Sequence, residues 1–283
     1  MEKIKILEWN INQRSSSQVI PSYVPSEILK KNPDIVVLVE FKDDVNHYNT
    51  ESLKEKLSNY HIYFYNGIPD TAFMIEHKTT GNGILIALKK DKFNKLNKVE
   101  SPNMSDNVNL PNWCRVKTTL ASGTKLTITG LRVKMQYESP KDFRERKEQI
   151  EWLLKENNKD SESDNQIIIG DLNYGPHRKG RDIGLNWDDF VAMIREYKYC
   201  DSETTNFAPY SPSGLSWGNE QLDWLITRGV ELVPDSSYNA LDWGFDRFID
   251  KVKPTNVKES HVKRKTGVPD HAIFTAELQV PES

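Results

Sequence analysis

Apolar residues recur along this chain in short runs bounded by polar turns. The runs Ile4–Ile11, Asp34–Glu40, Gly83–Leu88, Trp113–Leu120, Lys125–Val133, Gln166–Gly170, Leu222–Thr227 and Ala272–Leu278 have the length and composition of strands. Helical spacing intervenes. Ser26 to Lys31 reads as a short helix stopped before Pro33, and Thr50 to Leu57 sets Leu53 and Leu57 four apart on one face. The clearest helix begins after Ser139-Pro140, a fitting N-cap and first helical residue. It gathers Phe143, Ile150, Leu153 and Leu154 on one side. Trp187 to Tyr197 is a further helix, and the polar, acidic stretch Asn157–Asn165 is a surface loop.

No internal repeat and no Pro/Gly/Ser-rich linker divides the chain. Strands from both halves are needed to complete the sheets. The pattern therefore predicts one α+β domain over residues 1–283, with two packed, mixed sheets. The strand Lys125–Val133, the long helix and the strand at Gln166 form one crossover; the remaining connections look like hairpins.

Composition narrows the class. At 37% hydrophobic, 10% aromatic and 28% charged, the chain sustains a core and is not a disordered polyelectrolyte. The 38 basic and 41 acidic residues leave a net charge of −3, so no global basic field announces a nucleic-acid binder, although a local patch could exist. No segment approaches the ~20 apolar residues that cross a bilayer. The N-terminus enters a strand at once and lacks the apolar centre of a signal peptide. Cys114 and Cys200 make neither a disulfide framework nor a zinc set, and read as two buried thiols, with one bridge between them as the alternative. These features predict a soluble, cytoplasmic protein; that it is a monomer is a separate expectation.

Candidate chemistry collects at strand ends. The run Gln166-Ile167-Ile168-Ile169-Gly170-Asp171-Leu172-Asn173 is a buried strand that turns at a glycine and presents a carboxylate and an amide two residues apart. Asn10 and Asn12 end the first strand on a shared face. Glu40 ends an apolar strand, Asp223 sits in Gln221–Ile226, and Asp270-His271 opens the last strand. Each alone also fits a polar turn or a solvated strand end. As an ordered set they are the oxygen donors that hard divalent cations take, beside a His able to move a proton.

In this order the chain resembles the endonuclease/exonuclease/phosphatase superfamily. The matching motifs are Trp9–Asn12, the strand ending in Glu40, GDLN at Gly170–Asn173, LDWLI at Leu222–Ile226 and PDHAIF at Pro269–Phe274. The resemblance implies a four-layer α/β/β/α sandwich with the site at one edge of the packed sheets. It implies Mg²⁺, with Mn²⁺ as a substitute, held by Glu40 with Asn12 and Asp270. Asp171 would orient or deprotonate the attacking water, or hold a second metal. Asn173 would bond the phosphate or that water, and Asn10 would lie near metal and phosphate. His271 would touch the scissile phosphate, held by Asp223.

One position departs from the family. Where many members carry a His or Tyr before the long helix, this chain has Arg132. A guanidinium cannot act as a conventional acid or base, but it can clamp a phosphate; a surface ion pair is the alternative. Arg115 is a candidate phosphate contact or a plain strand-surface residue. Arg146 and Gln149 match a helical R-x-x-Q pattern that supports the fold.

Substrate choice lies in loops. Tyr174–Asn186 carries His177, Arg178, Lys179 and Arg181. Phe207–Gly218 mixes aromatics, Pro and Gly and includes Trp217. Lys251–Lys265 holds six Lys/Arg and one Glu, and is either a polyanion track or a solvated run. With Trp243 and Phe245, these features favour a nuclease or related phosphodiesterase acting on nucleic acid, Arg178 and Trp217 binding it. A phosphatase or phosphodiesterase on a small phosphoester or lipid headgroup suits the overall charge better. A binding module on a decayed scaffold is the non-enzymatic reading.

Overall fold

The computed structural model describes residues 1–13, 20–43, 48–65, 82–94, 99–102, 110–135, 140–159, 164–176, 187–200, 209–218, 220–245 and 269–281. Within them the chain runs β1 (Glu2–Asn10), α1 (Tyr23–Lys31), β2 (Ile35–Phe41), α2 (Tyr48–Lys56), β3 (Tyr60–Tyr65), β4 (Gly83–Lys89), β5 (Asn112–Thr119) and β6 (Lys125–Arg132). It continues with α3 (Pro140–Asn158), β7 (Gln166–Asp171), α4 (Trp187–Glu196), β8 (Asp223–Arg228), β9 (Glu231–Leu232), β10 (Ala240–Asp242) and β11 (Ile273–Val280). Every strand and helix read from the apolar pattern is present, with ends displaced by up to three residues. The additions are β3, an aromatic-rich sheet edge, and β9 and β10, too short to carry a period.

Two mixed sheets form. The first has the order β10-β11-β1-β2-β4-β3, with β9 also pairing β11, and the second has the order β5-β6-β7-β8. Parallel neighbours need a crossover. β6 and β7 are the expected parallel pair around α3. β1 and β2 are a second one around α1, where the sequence pattern suggested a hairpin.

Alternation along each strand builds the layers. Ile4 and Ile6 of β1, Val37 and Val39 of β2, and Ile84 and Ile86 of β4 meet Ile128, Ile167, Ile169 and Leu225 of the second sheet in one apolar core. The opposite face of the first sheet (Leu7, Trp9, Val36, Leu38) packs on Val24 and Ile28 of α1 and Leu53 of α2. The opposite face of the second sheet (Leu131, Ile168, Trp224, Ile226) packs on Phe143, Ile150 and Leu154 of α3 and Phe190 and Ile194 of α4. The result is the expected α/β/β/α sandwich. Gly130 lets the two sheets pack closely: a Cβ there would meet Ile84 at 2.6 Å and Val37 at 2.9 Å. Cys114 and Cys200 are buried and unbridged, and burial pushes the Cys114 thiol up to about 12. Among the described residues no helix is long and apolar enough to cross a membrane.

Candidate active site

The inward rows of four strands end at the same edge of the sandwich. On β7 the row Ile167, Ile169 is continued by Asp171, and on β8 Leu225 is preceded by Asp223. Asp171 and Asp223 are register partners across the two strands. Gly170 makes this possible. Its φ of +150° is glycine territory, and a Cβ there would lie 1.9 Å from the Leu131 carbonyl oxygen.

Asp171 is bound from several directions. The Asn173 backbone N–H donates to Oδ1 at 2.7 Å, and the side-chain amides of Asn173 and Asn10 both donate to Oδ2 at 3.2 Å. Asn173 also donates to the Val133 carbonyl at 2.8 Å, tying the loop after β7 to the end of β6. Burial raises the Asp171 carboxyl, and the nearby Asp223 raises it further. His271 and Arg132 pull it back, leaving it at about 6.

His271 comes from the segment just before β11. Its Nδ1–H donates to Asp223 Oδ2 at 2.8 Å, which fixes the tautomer and leaves Nε2 for proton transfer. Burial pulls its pKa down, but the Asp223 charge and hydrogen bond, with Asp171 and Asp270, outweigh burial and push it up to about 9. Two residues with no such role in the sequence reading hold this pair. Trp9 donates its indole N–H to the His271 carbonyl at 3.1 Å. Ser216 Oγ accepts the backbone N–H groups of Leu222 at 2.8 Å and Asp223 at 3.2 Å. A serine in a loop carries no local signal for such a cap; only the fold brings it there.

Glu40 reaches the group through a backbone irregularity. By strict alternation it would share the helix-facing side of β2 with Val36 and Leu38. A register shift between Val39 and Phe41, with a φ of 54° at Glu40, turns it inward instead. There Arg132 Nε donates to Glu40 Oε1 at 2.8 Å, with the two side chains 1% and 5% exposed. Arg132 is thus in an ion pair, but a buried one, which corrects the surface alternative. Asn12 (φ 51°) and Asn173 (φ 48°) are likewise in the left-handed region, so three expected site residues occupy backbone conformations that L-residues rarely adopt. The Asn12 N–H donates to Asn10 Oδ1 at 3.1 Å, and the Gln13 N–H to the Glu40 carbonyl at 2.9 Å, so the ends of β1 and β2 are laced together.

Trp217 joins the same edge. Its indole N–H donates to Asp270 Oδ2 at 3.3 Å, and its ring centroid is 6.3 Å from that of His271. Arg115 does not join. Cys114 and Val116 point inward, so Arg115 points to the helix side of β5, where it bonds Glu100 at 3.1 Å and Asn157, and stacks on Trp113. Its expected phosphate contact is corrected to that structural role. Arg178, with its neighbours His177, Lys179 and Arg181, and the whole Lys251–Lys265 run lie outside the described residues. The R-x-x-Q pair does support the fold. Arg146 bonds Asp142 and the Asn173 carbonyl, and Gln149 exchanges two hydrogen bonds with the Lys134 backbone at 2.8 and 3.0 Å.

One further carboxyl lies beneath the group. Glu8 follows Ile4 and Ile6 on the inward row of β1 and is fully buried. Neither of its oxygens has a hydrogen-bond partner, and Asp223 Oδ1 is also unpartnered. Burial, then the charges of Asp223 and Asp171, raise Glu8 well above the usual carboxylate range. The sequence presents it as a polar position in an alternating strand, which hides that both faces of β1 are covered.

As ligand types, Glu40, Asn12 and Asp270 suit a hard divalent cation, since each carries a side-chain oxygen. Glu40, in its present position, already faces the positive charge of Arg132. Among the described residues no three His, Cys, Asp or Glu side chains by themselves form an ion-holding group, and the expected set includes an amide.

Residues 7–249 match the model of the Endonuclease/Exonuclease/phosphatase family. Solved structures share the fold. An endonuclease/exonuclease/phosphatase from Beutenbergia cavernae is 15% identical with a TM-score of 0.66, covering 99% of this chain and 72% of that one. The human Nocturnin catalytic domain with bound sulfate is 15% identical, TM-score 0.61, covering 99% and 95%. D. rerio TDP2 complexed with single strand DNA product is 16% identical, TM-score 0.60, covering 99% and 100%. No curated protein matches by sequence.

Proposed function

Because this chain belongs to the endonuclease/exonuclease/phosphatase family, we propose that it is a metal-dependent phosphodiesterase, a nuclease that hydrolyses nucleic-acid phosphodiester bonds by in-line attack of water. The reading rests on one observation above all. Asn10, Asp171 and Asn173 form one hydrogen-bonded group at a sheet edge, and the hydrogen-bonded Asp223–His271 pair stands beside it because Asp223 is the register partner of Asp171.

Each side chain has a task in that reaction. Asp171, at about 6, is largely ionised at neutral pH and accepts a proton from the attacking water. Asn173 and Asn10 hold that carboxylate and bond the water or a phosphate oxygen. His271, as an imidazolium braced by Asp223, donates to the phosphoryl oxygen on which charge grows. A divalent ion, Mg²⁺ or Mn²⁺, held by Glu40, Asn12 and Asp270, would supply further positive charge to that oxygen.

Nucleic acid is the favoured substrate because Trp217 stands beside His271 and offers a base a face to stack on. The family likeness extends to D. rerio TDP2, solved with a single strand DNA product. The net charge of −3 favours a second reading, a small phosphoester. We read the chain as one domain over 1–283, acting as a cytoplasmic monomer. A panel of single- and double-stranded DNA, RNA, bis-p-nitrophenyl phosphate and inositol phosphates, each with Mg²⁺, Mn²⁺ or chelator, tests the proposal. Metal-dependent turnover of nucleic acid that weakens steeply with salt supports the nuclease. Turnover confined to inositol phosphates and insensitive to salt supports the second reading. No turnover of any ester sinks both.

A further inference from the structure

We infer that Arg132 is a built-in counter-cation for Glu40, so that a divalent ion enters this site in competition with a guanidinium. The inference rests on the metal role proposed for Glu40, and deepens it.

Three observations carry it. First, Arg132 Nε lies 2.8 Å from Glu40 Oε1, and the pair is almost wholly buried. Salt and water screen such a pair much less than an exposed one, so the charge of Arg132 is felt strongly at Glu40. Second, Arg132 is the register partner of Asp171 on the neighbouring strand, and its charge lowers the Asp171 carboxyl while its Nε–H bonds Glu40. Third, the bulge at Glu40 costs backbone strain and has the effect of aiming this carboxylate inward at Arg132.

The residue type decides the consequence. A histidine in this place could lose its proton and become neutral as a cation arrived. Arginine cannot. A divalent ion at Glu40 would therefore always meet a fixed positive charge and would compete with the guanidinium for this carboxylate. A guanidinium displaced from Glu40 would be free to pair with Asp171 or with a phosphate oxygen, for which its planar fork is well suited. Arg132 thus weakens the resting affinity for metal and prepares a cation for the substrate.

Mn²⁺ binding to the full chain, by electron paramagnetic resonance of the free ion and by isothermal titration, tests this without reference to turnover. Arg132→Gln is expected to bind Mn²⁺ at least about tenfold more tightly than wild type, because a buried unit charge is removed. Arg132→Lys keeps the charge and is expected to stay within about threefold of wild type. Glu40→Gln is expected to bind at least about tenfold more weakly. Equal affinity in wild type and Arg132→Gln, with Glu40→Gln weakened, overturns the inference and leaves the metal reading standing. So does an Arg132→Lys variant as tight as Arg132→Gln. Equal affinity in all the variants removes the metal from Glu40, and the inference with it. If Arg132→Gln does not fold, wild type answers alone. The Arg132 Nε–H resonance should move as Mg²⁺ saturates the site, and a resonance unmoved at saturation overturns the inference.

Discussion

Asp171 and Asp223 stand directly opposite each other at the site ends of β7 and β8. Like charges in a register pair repel, so the fold supplies positive partners: His271 bonded to Asp223, and Arg132 across from Asp171. In this relationship the Asp223 charge adds to the burial that raises Asp171.

Its first consequence concerns His271. In chelator the imidazole should titrate at about 9, and Asp223→Asn should lower that value toward or below the ordinary histidine range, as burial then acts with less opposition. The linkage has a definite sign. The folded value lies above the unfolded one of ~6.5, so the stabilising contribution is complete below pH ~6.5 and is lost as pH rises through about 9. NMR titration of the imidazole checks the first statement, and denaturant midpoints at pH 6 and pH 9.5 check the second. An imidazole titrating at 6.5 in wild type contradicts both.

Glu8 makes a separate prediction. Its folded pKa is raised, so its contribution is most favourable below the unfolded carboxylate value of ~4.3 and is lost as pH rises through the folded value. Replacing it by an apolar residue of similar size removes that dependence. Glu8→Leu should be more stable than wild type by roughly 1–3 kcal/mol at pH 8 and by less at pH 5. Thermal unfolding across pH measures the difference; a Glu8→Leu protein less stable than wild type at pH 8 would show that this carboxyl stabilises the fold.

Gly170 and Gly123 both have positive φ, yet they should answer substitution differently. A Cβ at Gly170 meets the Leu131 carbonyl at 1.9 Å, whereas Gly123 has nothing within 4 Å. Gly170→Ala should cost ~4 kcal/mol or prevent folding, while Gly123→Ala should cost about 1–2 kcal/mol of backbone strain. Urea unfolding of the two variants compares them. Equal losses would mean that the turn after β7 relaxes freely.

How much of this was legible in the sequence depends on which physical rule governed each position. Apolar runs such as Val36–Val39 and Ile167–Ile169 identify themselves, because a doubly covered strand must be apolar on both faces. Asp171, Asn173 and His271 stood out as polar residues where such strands end. Arg115 was misassigned although its parity was readable: Cys114 and Val116 point inward, so Arg115 cannot. Glu40 reads by parity onto the wrong face, and the bulge that turns it inward has no signature in Val39-Glu40-Phe41. Ser216 and Trp9 act through contacts with residues distant in sequence, and Glu8 resembles an exposed strand position. These were out of reach because tertiary packing alone decides them.

The central claim is that Asp171 activates water at this edge of the sandwich. Single-turnover hydrolysis of a DNA oligonucleotide or bis-p-nitrophenyl phosphate with Mg²⁺, by wild type and Asp171→Ala at matched stability, tests it most directly. The account predicts a loss of at least ~10³-fold in the chemical step with the fold intact. A rate for Asp171→Ala equal to that of wild type would contradict it.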